Sequence, residues 1–228
     1  MDLMKVKSTL KYPNKSHRKI VILPDYSPKL AEFFGIMIGD GGINNPWQVT
    51  ITLNSIKDKE YSNFIKSLCF ELFGIYPAIR KRPGKNTLVI SLASISVVEF
   101  LIEKDLPRGN KLKNGLKIPD WILFKKSYQI ACVRGLVDTD GCLFIHQHIV
   151  KGKAYKNLGL CFTNHSPGII KSVAAILKEL GISGHISKRG SNVYLYRESD
   201  IVKYLKIVGT SNDRISSLYN EWRDARVV

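Results

Sequence analysis

The chain has 228 residues, with 35 Lys+Arg against 19 Asp+Glu and a formal net charge of +16 at pH 7. An excess of this size points to a polyanionic partner, while a hydrophobic content of 44% is enough to bury a real core and excludes a disordered basic tail. No apolar run approaches the roughly 18 residues of a membrane-spanning helix, and no secretory signal pattern opens the chain. The expectation is a soluble intracellular protein without a membrane partner, cytoplasmic and nucleoid-associated or organellar. Cys69, Cys132, Cys142 and Cys161 form no C-x-x-C pair and have no histidine at zinc-finger spacing, so they read as reduced.

Residues 1–26 are basic and irregular and read as an extension. Ser27-Pro28 is an N-cap with proline in the first turn, and Leu30, Phe33, Phe34, Met37 and Ile38 recur at helical spacing as far as Asp40-Gly41-Gly42. From Trp47 to Asn54 the pattern alternates, with Val49, Ile51 and Leu53 on one face and Gln48, Thr50, Thr52 and Asn54 on the other; this predicts a half-buried strand with a polar face. Ser55 with Asp58 three residues on resembles a capping box, and the helix that follows is stopped by Gly74. Strands near 77–82 and 86–92 around Pro83-Gly84-Lys85, then a helix over about 95–104, complete a first unit spanning 27–106. Residues 107–125, rich in Gly, Pro and Lys, read as a linker.

The second unit, 126–228, has the same plan. A helix over 126–140 is followed by strands near 142–149 and 156–163, a helix from Ser166-Pro167 to Gly181, strands near 184–189 and 192–197, a helix near 199–208, and a final amphipathic helix over 215–228. The class is α+β. The likeness is also literal: LAEFFGIMIGDGGI (30–43) aligns with IACVRGLVDTDGCL (130–143), SLCFELFGI (67–75) with AAILKELGI (174–182), and KRPGKNTLVIS (81–91) with KRGSNVYLYR (188–197). Collinear blocks imply a duplicated unit with pseudo-twofold symmetry and a chain that acts as a monomer, since it carries both halves.

Gly35 with Gly39, and Gly135 with Thr139, leave small residues where two helix backbones could approach closely. If the two helices pack side by side, Asp40 and Asp140 converge at the negative ends of both dipoles, where two carboxylates repel and call for a cation. Oxygen ligands and an incomplete protein shell suit Mg²⁺, and such metals stabilise in-line phosphodiester displacement. A lone Asp-Gly after a helix is ordinarily a turn; the same pair at the same position of both repeats is not explained that way. Asp138, matched by Ile38, falls outside the symmetric pair and reads as a solvated or capping carboxylate.

LAEFFGIMIGDGGI and CVRGLVDTDGCL both resemble the LAGLIDADG motif, with Ile38 standing in the first copy where the motif has its first acid. The resemblance covers about residues 28–215, and GNKLKNGLKIPDWI (109–122) is similar to the segment that precedes the second motif in two-motif members. It implies a homing endonuclease: two αββαββα units joined through their motif helices, with two antiparallel sheets straddling the DNA major groove. It further implies divalent metal, Mg²⁺ with Mn²⁺ able to substitute, held by Asp40 and Asp140 with the preceding Gly39 and Thr139. Lys111 and Arg214, each following the third helix of its unit, are the candidate assisting bases or charge stabilisers.

DNA contact is also supported residue by residue. Gln48, Thr50, Thr52 and Asn54 can present donors and acceptors to base edges. Arg80, Arg82, Lys188, Arg189 and Arg197 lie on or beside matching strands, in reach of phosphates or guanines. Tyr194 and Tyr196 share a face with Asn192, and His146 and His148 flank Gln147 on the strand after the second motif. With no further ligand at suitable spacing, these histidines read as base-contacting or surface residues rather than zinc ligands. A free-standing double-strand DNA endonuclease is the leading expectation. A maturase binding intron RNA, a non-cleaving DNA-binding regulator and a structural basic protein are the alternatives. Intein splicing is not expected from a chain that opens on Met1 and closes on Arg226-Val227-Val228.

Overall fold

The computed structural model describes residues 19–225. Its centre is a pair of helices buried along most of their length. α1 (Pro28–Gly39) buries every residue from Leu30 to Ile38, and α5 (Lys126–Asp140) buries Ala131–Val133 and Gly135–Asp138; helices buried on all sides must lie at the core of a fold. They form the most extensive contact between any two elements of the molecule. The motif glycines allow it, because a Cβ on Gly35 would collide with the Cys132 carbonyl oxygen and one on Gly135 with that of Glu32. The outset of α1 is as the sequence predicts, with Ser27 Oγ accepting the Leu30 amide at 3.2 Å.

Each unit adds a four-stranded antiparallel sheet. In the first, β1 (Gly41–Asn45), β2 (Gln48–Asn54), β3 (Ala78–Lys81) and β4 (Thr87–Ala93) lie in the order β1-β2-β4-β3. In the second, β5 (Gly141–Val150), β6 (Lys153–Thr163), β7 (His185–Ile186) and β8 (Asn192–Leu195) repeat the order as β5-β6-β8-β7. Val49, Ile51 and Leu53 are buried as the alternation requires. The helices α2 (Lys59–Phe73) and α3 (Ile95–Glu103), and their counterparts α6 (Pro167–Glu179) and α7 (Glu198–Ile207), complete the two units. A short α4 (Asp120–Leu123) interrupts the linker, and α8 (Asp213–Asp224) packs on β5 through buried Ile215 and Trp222. The mixed class and the duplicated α-β-β-α-β-β-α order are as expected.

Three local expectations are corrected. The sequence reading ended the first motif helix near Asp40-Gly41-Gly42, close to the observed end at Gly39, but placed no strand before 47, whereas β1 begins at Gly41. Ser55 does not cap α2; Asp58 holds the N-cap position, with no side-chain bond to the helix amides. The strand expected over 184–189 is only His185–Ile186. The described residues ahead of α1 carry no helix or strand, and they lie against the first unit and the linker: the Ile22 amide donates to the Phe73 carbonyl at 3.0 Å, and Tyr26 stacks on Trp121 with ring centroids 4.6 Å apart. Residues 1–18 and 226–228 of the expected extension and final helix lie outside the described residues.

Candidate active site

Neither Asp-Gly pair makes a separate reverse turn: Asp40 closes the last turn of α1, its amide donating to the Ile36 carbonyl at 3.0 Å, and Asp140 is the last residue of α5. Gly141 has φ −100° and ψ 161°, extended backbone, and neither Gly41 nor Gly141 has positive φ. What excludes a side chain is proximity: a Cβ at Gly41 would press on Met37, and one at Gly141 on the Val137 carbonyl. Each strand therefore starts directly off the end of its motif helix, leaving Asp40 and Asp140 at the junction. A Cβ placed on Gly39 would lie 3.4 Å from Asp140 Oδ2 and collide with Thr139 Oγ1, so the helix ends meet where the acids are.

Both carboxylates are partly buried and hold their protons more tightly than free aspartate. Burial, then the charge of Asp140, then that of Asp58, push Asp40 up from 3.8 to about 7, against the opposing charges of Lys111 and Arg214. Burial also raises Asp140, opposed by a hydrogen bond from Asn164 and by the charges of Lys111 and His165. The Asn164 Nδ2 donates to Asp140 Oδ2 at 3.0 Å.

Lys111 and Arg214 arrive from distant segments at the C-terminal ends of the two helices. Lys111 Nζ donates to the carbonyls of Met37, Ile38 and Gly39 at 3.1, 2.8 and 2.8 Å, a cation on the negative end of α1. Arg214 Nε donates to Asp58 Oδ1 at 3.2 Å and its Nη2 to the Asp138 carbonyl at 3.3 Å. The four residues named from sequence as the reactive set thus lie in one neighbourhood. Gly39 has only its main-chain oxygen to give, and that carbonyl already receives Lys111; the Thr139 hydroxyl donates back to the Gly135 and Leu136 carbonyls at 2.9 and 3.0 Å, which leaves its oxygen lone pairs free to accept.

Asp138 is neither solvated nor a cap. It is 1% exposed, accepts from Thr210 Oγ1 and from the Ser211 amide at 2.7 Å, and is raised to about 7, chiefly by burial. With Asn212 donating to the Asp138 carbonyl at 2.9 Å, it fastens segment 210–214 to α5. Asn164, Asp58 and Asn212 were not identified from sequence. One signal for Asn164 was present, since it follows Thr163 at the end of β6 much as Asn54 closes β2.

Among the described residues no three His, Cys, Asp or Glu side chains gather as a metal cluster. A cation between Asp40 and Asp140 would fill its shell with main-chain oxygen, water and phosphate, an all-oxygen set suited to a hard divalent ion. The structural sign that a cation fits is the meeting of the two helix ends beside Asp40 and Asp140: two carboxylates held together at two negative helix ends are stabilised by positive charge.

The sheet faces turned away from the core carry the expected polar residues. Gln48, Thr50, Thr52 and Asn54 stand opposite Ala93, Ser91, Val89 and Thr87, with Thr52 exposed. The Asn54 side-chain oxygen is engaged by the Ile56 and Lys57 amides at 2.9 and 3.0 Å, which leaves its amino group for recognition. Arg80 sits on β3 opposite Val89, and Arg82 lies just beyond. Lys188 and Arg189 lie in the turn between β7 and β8 rather than on a strand, and Tyr196 and Arg197 follow β8, Arg197 as the N-cap residue of α7. Tyr194 and Tyr196 stack with centroids 5.2 Å apart. His146 pairs across from Asn157 and is exposed; His148 is on β5, and its side chain lies outside what is described.

Residues 127–212 match the family model of the LAGLIDADG-like domain. Among solved structures, the chain resembles the meganuclease I-SmaMI bound to uncleaveable DNA, at 14% identity and TM-score 0.58, covering 87% of this chain and 89% of that one. It resembles variants of the homing endonuclease I-DmoI at 19% identity and TM-score 0.53, covering 80% and 95%. The LAGLIDADG homing endonuclease I-LtrWI bound to its target DNA matches at 13% and 0.57, over 84% and 87%. Two curated proteins also match: reverse gyrase of Methanocaldococcus jannaschii, 28% identical over 90% of this chain, and an A-type ATP synthase subunit of Pyrococcus abyssi, 30% identical over 60%. The aligned region spans 12% and 13% of those proteins, whose own names therefore describe little of what is shared. Residues 127–212 are thus similar to a LAGLIDADG-like domain, and the whole chain has the fold of the LAGLIDADG homing endonucleases.

Proposed function

We propose, from a chain with this fold, that it is a site-specific endonuclease that hydrolyses both strands of a long DNA target with divalent metal. The observation that carries the proposal is the convergence of Asp40 and Asp140 at the ends of two helices packed through Gly35 and Gly135, each acid beside the first strand of a sheet with a polar outer face. Such a placement gives a single catalytic centre flanked by two recognition surfaces. I-DmoI has been solved with DNA and Mn, and with DNA and Ca, which favours a divalent ion here; Mg²⁺, with Mn²⁺ able to replace it, is the ion we assign.

Asp40 and Asp140 would hold the ion, with main-chain oxygens nearby. When bound, it supplies Lewis-acid stabilisation of the scissile phosphate and a hydroxide nucleophile near neutral pH. The protein's own groups do the rest. Asn164 fixes the orientation of Asp140, Lys111 and Arg214 keep positive charge where the phosphorane's negative charge develops, and the sheets place the duplex. Arginine serves as a charge stabiliser and not as a proton carrier. The excess of +16 supplies sequence-independent attraction to phosphate, and the polar strand faces supply base readout. One chain furnishes both halves, so a monomer acting inside the cell, in the cytoplasm or an organelle, completes the proposal. Retention of both acids favours cleavage of DNA over a purely binding role on DNA or intron RNA.

The test is a cleavage selection: purified protein with Mg²⁺ against a pool of randomised inserts, with Ca²⁺ as the control and the cut ends sequenced. Recurrent double-strand cuts at one long site are expected. Tight binding with no cut under any divalent ion would overturn the endonuclease.

A further inference from the structure

Asp58 sits where aspartate usually caps a helix, yet its carboxylate makes no bond to the amides of α2. It turns instead toward the other unit. Oδ1 accepts from Asn212 Nδ2 at 3.0 Å and from Arg214 Nε at 3.2 Å, and Oδ2 accepts from the Asn54 amide at 3.2 Å. The side chains of Asp58 and Arg214 are 13% and 26% exposed. A third carboxylate beside a two-acid centre is unfavourable by charge alone, because it opposes both the ionisation of Asp40 and the approach of a phosphate. Its retention there calls for a compensating task, and the geometry supplies one.

Building on the endonuclease proposal, we propose that Asp58 is a positioning residue: reaching across the unit boundary, it fixes the Arg214 guanidinium at the catalytic centre and so governs cleavage of one of the two strands. Arg214 is anchored at two nitrogens, Nε on Asp58 and Nη2 on the Asp138 carbonyl, which aligns a long side chain otherwise costly to order. Its remaining nitrogen, Nη1, makes no hydrogen bond among the described residues and is free to donate to a phosphate oxygen. The other basic residue is held differently. Lys111 is seated on three carbonyls of α1 and needs no carboxylate, so the two half-sites are built unequally. Loss of Asp58 removes an anchor from only one of the two basic residues, Arg214.

The experiment measures nicking of each labelled strand of the selected target by the full chain in Mg²⁺, for wild type, Asp58→Ala, Asp58→Asn, Arg214→Ala and the double variant Asp58→Ala/Arg214→Ala. Misplacing a catalytic group costs on the order of 10²-fold. Asp58→Ala is therefore expected to slow one strand by about 10- to 100-fold and leave the other within about threefold, with binding in Ca²⁺ unchanged. Asp58→Asn, which keeps an acceptor for Arg214, should fall between wild type and alanine, and it carries the test if the alanine variant fails to fold. The double variant should be no slower than Arg214→Ala, because the two residues act as a unit. Equal slowing of both strands, or additive losses in the double variant, would overturn the positioning role while leaving the endonuclease intact. Failure of the wild type to cut either strand overturns the endonuclease and this proposal with it.

Discussion

At the residue scale, the two motif acids were legible because they recur at one position of a repeat, and the structure brings their helix ends together. Asp138 shows the opposite case. Its polar partners, Thr210 and Ser211, are more than seventy positions away along the chain, so local pattern offered only a solvated or capping reading. Its burial and that of Asp40 have a common thermodynamic consequence. Both acids rise from 3.8 to about 7 in the folded protein, so each favours folding while protonated and loses that contribution as pH climbs from near 4 through about 7. The metal-free protein should therefore melt at a higher temperature at pH 5 than at pH 8, and Asp138→Asn should flatten that dependence; scanning calorimetry across pH checks it. Cleavage should run the other way, rising with pH through about 7, because binding a cation requires the ionised acids. Asn164→Ala removes the one side-chain donor that Asp140 has among the described residues. By analogy with other residues that orient metal ligands, cleavage should fall about 10- to 100-fold with duplex affinity in Ca²⁺ unchanged, read by single-turnover kinetics beside a binding titration.

The element scale was read well wherever one face of a helix or strand dominated. Caps at Ser27 and Ser166, the stop at Gly74 and the alternation of β2 all stand as expected. β1 was missed because two consecutive glycines signal a turn when judged by propensity, whereas here each motif's first glycine is set by how closely a strand approaches the helix turn beneath it. Asp58 was misread for a related reason: a capping-box spacing fits, but the carboxylate has a stronger partner in Arg214. Gly35 and Gly135 do the most at this level. Replacing either with alanine forces a methyl into a facing carbonyl, and overpacking of this kind costs about 1–3 kcal/mol. Gly35→Ala and Gly135→Ala should each lower Tm by several degrees and, by spreading the helix ends, reduce cleavage more than binding. Equal Tm in either variant would mean that the helices are not held as closely as described.

At the scale of the whole molecule, duplication and charge were the informative signals. Two sheets with the same strand order follow from two collinear repeats. The last helix could not be placed from sequence, since its amphipathic pattern says that it packs but not on what; β5 is the answer. The unequal half-sites were likewise invisible, because they depend on segments 110–114 and 210–214 returning to the adjoining C-terminal ends of the two motif helices. A chain of this charge that neutralises several phosphates should lose duplex affinity steeply with salt, by about 10³-fold or more between 50 and 200 mM for six or more contacts. A weak salt dependence would remove the sheets' basic residues from the interface.

The most direct measurement is cleavage of the selected target by the wild type, Asp40→Asn and Asp140→Asn at equal occupancy of the duplex, in Mg²⁺ and in Ca²⁺. Expected are double-strand cuts by the wild type in Mg²⁺ alone and, for both variants, undiminished binding with cleavage lost by at least about 10²-fold. Full activity in either variant, or cleavage by the wild type without divalent metal, would contradict a shared cation between Asp40 and Asp140.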